Sequence, residues 1–208
     1  MINNDISAKI KENEITMKMK KIISLFLALV MSAVLFTACG EESEIPDGMQ
    51  LVENEFVSYK FYVPDDWLVD TTKDGFLCAK ASDNSNVSVQ TMTYSGNYTS
   101  LSEYFRTDYF KKLETTFKSV TLLEEESSEE NQTVGTAKNP AVKYVYLVES
   151  DGATYKIMQY FSYNAGYLYA ITYTGKVKDT AVNGETVEVT YFADHLEEVS
   201  SIVANFVF

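Results

Sequence analysis

Residues 141–150 read "AVKYVYLVES", residues 154–163 "TYKIMQYFSY" and residues 167–174 "YLYAITYT". Each run is rich in β-branched and aromatic residues, which suit a pleated, half-buried surface. Short punctuators separate them, Asp151-Gly152 first and Asn164-Ala165-Gly166 second. Asp-Gly between two apolar runs is a hairpin signal, because a tight type I′ turn needs positive φ at both central residues. The three runs therefore predict an antiparallel meander.

The flanks agree with it. "FVSYKFYV" (56–63) alternates apolar and polar residues and stops at Pro64, and Trp67 follows a tight turn. Asp74-Gly75 predicts a hairpin turn before "FLCAKA" (76–81), and "NVSVQTMTY" (86–94) alternates again. Ser100 and Glu103 then form an S-x-x-E capping box. Leu101, Phe105, Tyr109, Leu113 and Phe117 follow at helical spacing and give one apolar face. "TLLEEESSEENQT" (121–133) predicts a strand running into an acidic loop. Beyond the meander, Asn183-Gly184 predicts a smaller hairpin. The chain ends in an amphipathic helix with Phe192, Leu196, Val199 and Val203 on one stripe, then "NFVF". The order β-β-β-α-β-β-β-β-α predicts a single α+β domain over residues 55–208, a mostly antiparallel sheet covered by helices.

The N-terminal part reads differently. Lys18, Lys20 and Lys21 precede "IISLFLALVMSAVL" (22–35), and Phe36-Thr37-Ala38-Cys39 follows. A basic start, a short apolar middle and small residues before a cut describe a signal peptide over residues 1–38. Phe36-Thr37-Ala38-Cys39 resembles the bacterial lipobox. By that resemblance Cys39 gains a diacylglycerol, is acylated, and becomes the mature N-terminus. Two or more acyl chains suffice for stable anchoring, each buried methylene adding about 0.8 kcal/mol. Residues 1–16 lack pattern, so translation is expected to begin at Met17 or Met19. Residues 39–54, "CGEESEIPDGMQLVEN", read as the lipidated cysteine and an acidic tether. Five lysines and three acids precede Cys39, out of 17 basic and 30 acidic residues in all; 12 and 27 remain, a net of −15. Such a body is repelled by nucleic acid and by anionic membrane surfaces, so lipid and not charge must hold it at a membrane.

Three features together carry a family resemblance. They are Tyr59, Phe61, Pro64 and Trp67 in "Y-x-F-x-x-P-x-x-W"; the aromatic run Tyr167-Leu168-Tyr169-Ala170-Ile171-Thr172-Tyr173-Thr174; and the closing Ile202-Val203-Ala204-Asn205-Phe206. The chain resembles the PsbP-like family, named for a photosystem II extrinsic subunit and including many small bacterial lipoproteins. The match runs over about residues 52–208 in element order, with Asn205-Phe206 where the family usually closes in Ser-Phe. The resemblance implies an α/β/α sandwich around a central antiparallel sheet.

Candidate chemistry is sparse. Cys78 and His195 are the one soft nucleophile of the domain and the one imidazole. Cys78 sits in "GFLCAKA" with no local signature of a reactive thiol, so a buried strand cysteine and a surface histidine are expected. No G-x-S-x-G is present. The Glu124–Glu130 run lacks the interleaved oxygens and glycine of a calcium loop and reads as solvated. The pattern thus predicts no cofactor, no metal site and no catalytic residue. Tyr144 and Tyr146 share one strand face, and Tyr167, Tyr169 and Tyr173 share another. With Asp65, Asp66 and Trp67 they are the candidate binding surface, since tyrosine offers an apolar plate with a polar tip. Against this stands the expectation that the tyrosines fill sheet–helix interfaces. The function expected is a lipid-anchored, non-catalytic accessory domain on the extracytoplasmic face of the cell membrane, engaging an envelope protein, a peptide or a small solute. The alternative is an envelope hydrolase using Asp65 or Asp66 in a tyrosine-lined cleft.

Overall fold

Strand pairing organises the fold. The computed structural model describes residues 45–73, 76–94, 97–180 and 184–208. The signal peptide, Cys39 and the Asp74-Gly75 turn lie outside the described residues, as does Asn183. Strands β1 (Met49–Val52) and β2 (Phe61–Pro64) form a small antiparallel ladder of their own. There follow β3 (Leu68–Lys73), β4 (Phe76–Lys80) and β5 (Asn86–Thr93). Helix α1 begins with Leu101–Tyr104, widens into a π-helical turn at Phe105–Tyr109 and ends with Phe110–Thr116. Then come β6 (Val120–Leu122), β7 (Ser128–Val134), β8 (Asn139–Ser150), β9 (Ala153–Asn164), β10 (Tyr167–Thr180) and β11 (Thr186–Glu188). Helices α2 (Tyr191–Asp194) and α3 (Leu196–Ala204) close the chain.

The main sheet runs β3-β4-β5-β10-β9-β8-β6, with β7 also beside β8 and β11 beside β10. Every pairing in it is antiparallel. The predicted meander is its centre. Asp151-Gly152 takes φ of 51° and 77°, and Ala165-Gly166 takes 48° and 91°. These are the left-handed conformations that two-residue hairpins demand.

Because side chains alternate across a strand, the meander serves two cores. Tyr144, Tyr146, Val148, Ile157, Phe161 and Leu168 pack with Phe105 under α1. Val145, Met158, Tyr169, Ile171 and Tyr173 face the other way, against Phe61, Phe192, Ile202 and Phe206. Each fully buried Phe, Leu or Ile contributes about 1.5–3 kcal/mol. This is the mostly antiparallel sheet covered by helices that the sequence pattern predicts, in the α/β/α layering that the family resemblance implies.

The start of α1 follows its capping box. The Ser100 hydroxyl accepts the Glu103 N–H at 3.1 Å, and the Glu103 carboxylate accepts both the Thr99 N–H and the Thr99 hydroxyl at 2.6 Å. The π turn has a reason in the same sequence. An apolar stripe spaced strictly by four drifts roughly 40° per step around an ideal α-helix. A wider turn winds less per residue and takes back part of that drift, so Phe105 and Tyr109 both keep their contact with Phe161.

Several expectations change. Met49–Val52, read as tether, is a strand, because it pairs with Phe61–Pro64 and Val52 reaches the core. Only the second half of "FVSYKFYV" is a strand, and Phe56 is exposed. The acidic loop after residue 127 is strand β7, paired with β8. The last helix breaks at His195; Leu196 is exposed, and Ile202, outside the expected stripe, is buried with Val199 and Val203. Among the described residues no helix is long and apolar enough to cross a membrane.

Candidate functional site

The predicted binding surface does not assemble. Tyr144, Tyr146, Tyr169 and Tyr173 are at most 2% exposed, and Trp67 is 4% exposed. Helices cover both sheet faces, so a tyrosine repeat that marks a shared face does not mark an open one. Tyr144 and Tyr146 lie under α1, while Tyr169 and Tyr173 lie on the opposite side. Of the five tyrosines predicted there, only Tyr167, at 51%, is open to solvent. Asp65 and Asp66 are exposed in the turn between β2 and β3.

Trp67 instead packs edge-on against His195, 5.4 Å between ring centroids. His195 Nε2 lies 3.3 Å from Asp83 and Nδ1 lies 3.6 Å from Glu198. The Ser85 hydroxyl donates to Asp83 at 3.2 Å. The carboxylate therefore stands between hydroxyl and imidazole, which is not the order that activates a serine. His195 is half-buried at the junction of α2 and α3 and ties it to the β4–β5 turn; the sequence reading as a surface histidine is corrected here. Cys78 is half-buried on β4.

The glutamate run is not simply solvated. Arg106, the one arginine of the sequence, clamps Glu124 with two hydrogen bonds of 2.8 Å and donates to Glu129 at 2.6 Å. Tyr144 also donates to Glu129, at 2.7 Å, and Lys156 meets Glu126 at 2.6 Å. These bonds fasten the π turn of α1 to the segment between β6 and β8. Among the described residues no group of His, Cys, Asp and Glu is arranged to hold a metal ion. Inside the α1 core, Gln159 is satisfied on three sides: it accepts from Tyr146 at 3.0 Å and donates to Tyr109 at 2.9 Å and Thr172 at 2.8 Å.

The candidate site lies where the end of β5, the start of α1 and the end of β9 meet. Tyr94 sits among Tyr163, Tyr104 and Tyr98, with ring centroids at 5.5, 6.0 and 6.1 Å, and Tyr98 and Tyr104 are 5.2 Å apart. Tyr104 continues the aromatic contact inward to Phe161. Tyr163 is 49% exposed and the other three are half-buried, so the cluster is an accessible face rooted in the core. Two carboxylates border it. Asp108 accepts the Tyr98 hydroxyl at 2.5 Å, and Glu103 lies close enough to Tyr94 for its charge to act on the phenol. That hydrogen bond pushes Tyr98 up to about 12. Burial pushes Tyr94 and Tyr104 up as well, with help from Glu103 and Asp108 respectively. All three rings therefore stay neutral phenols. The sequence reading missed Tyr94, Tyr98 and Tyr104; the signal available was the density of tyrosine through residues 94–109.

A separate cavity lies elsewhere. An open groove of about 540 Å³ lies at the β8–β9 turn, lined by Thr116, Lys118, Glu149, Asp151, Thr154 and Lys178. Its Lys178 is already paired with Glu188 at 3.2 Å. The groove and the tyrosine cluster occupy opposite ends of β9.

No protein-family model matches the sequence, and no curated protein does. Among solved structures the chain is similar to the Ran-binding protein Mog1p of Saccharomyces cerevisiae, with a TM-score of 0.54 and 12% identity over 76% of this chain and 94% of that one. It is also matched to the Pseudomonas aeruginosa protein PA94, with a TM-score of 0.40 and 14% identity over 61% and 81% of the two chains. A Bacteroides thetaiotaomicron protein matches with a TM-score of 0.37 and 12% identity over 71% and 44%. The likeness to Mog1p is one of fold: the chain has the α+β Mog1/PsbP-like architecture.

Proposed function

We propose that this chain is a lipid-anchored, non-catalytic binding domain on the extracytoplasmic face of the cell membrane, and that it engages another envelope protein through the tyrosine cluster. The observation that carries this reading is the placement of the cluster. The described chain enters the fold at Gly48, whose carbonyl accepts the Asp65 N–H beside Trp67. That entry lies near the Asn86 end of β5, whereas Tyr94 follows its other end. Eight strand residues at roughly 3.3 Å each put about 25 Å between the two. The described chain thus enters at one end of the sheet and carries the aromatic face at the other. Mog1p is named as a Ran-binding protein, so the fold is compatible with binding a protein.

Two measurements on the full chain test this. Growth with labelled palmitate should label the protein, and Cys39→Ser should abolish the label and release the chain from the membrane. A photo-crosslinker placed at Tyr163 should give a discrete adduct with one envelope protein, whereas the same group at Glu130 should not. An unlabelled native protein would overturn the anchor. Equal adduct patterns from both positions would overturn the binding surface.

A further inference from the structure

We infer that the tyrosine cluster receives lysine or arginine side chains from an extended segment of the partner protein. This rests on the reading of the cluster as the binding surface, and goes further by naming what it binds. Each of the four rings lies 5.2–6.1 Å from at least one other, tilted or edge-on, and Tyr163, 49% exposed, opens the cluster to solvent as an aromatic face. A cation is attracted to such a face by the ring quadrupole. Glu103 and Asp108 add negative charge at the border of the same rings.

The alternative occupant of an aromatic face is a sugar, and the hydrogen-bonding state of the border argues against it. A sugar needs free donors and acceptors matched to its hydroxyls. Here Glu103 is already used by the Thr99 N–H and hydroxyl, and Asp108 by the Tyr98 hydroxyl. What these groups still offer is net negative charge, which attracts a cation and gives a neutral sugar nothing. Lys112, 71% exposed, pairs with Asp108 only at 3.9 Å, the long limit of an ion pair. The whole chain, at net −13, reinforces the preference for a basic partner.

The test uses the full chain in a zwitterionic detergent at physiological ionic strength, titrated calorimetrically with hexa-arginine, hexa-glutamate and tri-N-acetylglucosamine. Hexa-arginine should bind and the other two should not. Tyr163→Ser should weaken hexa-arginine binding at least fivefold. Tyr98→Phe keeps the ring and frees Asp108, and should leave binding equal or tighter. Glu197→Gln, on the exposed side of α3, should change it less than twofold. Equal weakening by Tyr163→Ser and Glu197→Gln would reduce the effect to bulk charge and overturn the inference. Sugar binding that is lost in Tyr163→Ser would also overturn it, while leaving the cluster a binding surface. Loss of the Tyr163 crosslink in membranes, by contrast, would remove the surface itself.

Discussion

The Phe105 and Tyr144 rings lie face to face, 3.5 Å between centroids and 4° from parallel. Full overlap of two aromatic faces is not their electrostatic preference, since like quadrupoles repel. Here the neighbours hold it. The Tyr144 hydroxyl is fixed by Glu129, Glu129 by Arg106, and the Arg106 guanidinium lies 5.8 Å from the Tyr144 ring. Phe105 is fully buried at the first residue of the π turn and also touches Phe161 and Phe110. Phe105→Ala should therefore cost about 3–5 kcal/mol, read as a fall in the denaturation midpoint. A loss under about 1 kcal/mol would show that α1 closes over the gap.

The Arg106 clamp gives a pH-dependent prediction. The Arg106 hydrogen bond holds Glu124 below the usual carboxylate range. Burial pushes Glu129 up, but hydrogen bonds from Tyr144 and Arg106 outweigh it and leave Glu129 lowered too. A lowered folded-state value means stability that is present above the ordinary glutamate value of ~4.3 and lost as pH falls through the folded value. Arg106 and Glu124 are 43% and 59% exposed, so screening limits the clamp to about 1 kcal/mol or less. Arg106→Met should thus lower the melting temperature by a few degrees at neutral pH, and the gap to the wild type should close in acid. A gap that is the same at both pH values would remove the carboxylates from the explanation.

Alkaline titration separates two kinds of tyrosine. Burial pushes Tyr59 up to about 12, and the Asp108 hydrogen bond does the same to Tyr98 at the surface. In both, the folded value is raised, so the contribution is full below the ordinary value near 10 and is lost as pH rises through about 12. Phenolate absorbance should show Asp108→Asn bringing one tyrosine back toward ~10, without changing the slow, unfolding-linked ionisation of the buried ones. No change in the early phase would mean that Tyr98 does not bond Asp108 in solution.

The legible and illegible parts of this chain differ in range. The meander was readable because β-propensity and the Asp151-Gly152 turn are local. The Ser100–Glu103 cap was readable for the same reason. Strand β1 escaped because four residues, Met49–Val52, gain strand character only from pairing with Phe61–Pro64. Alternation puts Tyr144 with Tyr146 on one strand face and Tyr169 with Tyr173 on another, yet it carries no information on what covers a face. The tyrosine cluster needed three segments to meet: Tyr94 and Tyr163 are distant in sequence and touch only through the β5-β10-β9 order. Arg106 was passed over because its partners lie 18 and 23 residues away, in a run of glutamates that looks solvated when read alone.

A close approach of helix to strand gives the last prediction. At Gly175 on β10, an added Cβ would lie 2.5 Å from Phe192 Cα and 2.9 Å from its N and Cβ. Helix α2 thus packs directly on the strand backbone. The Tyr173 hydroxyl pins it there, donating to the carbonyls of Phe192 at 2.9 Å and Tyr191 at 3.2 Å. Ordinary carbon contacts need about 3.5–4.0 Å, so Gly175→Ala must push α2 outward by roughly an ångström and stretch both bonds. The expected cost is about 1–3 kcal/mol, larger than that of Tyr173→Phe, which loses the bonds without the clash. Because His195 follows α2 and packs on Trp67, the one tryptophan of the sequence, the displacement should also change its emission. A Gly175→Ala protein with wild-type stability and unchanged Trp67 emission would show that α2 is not seated by this contact.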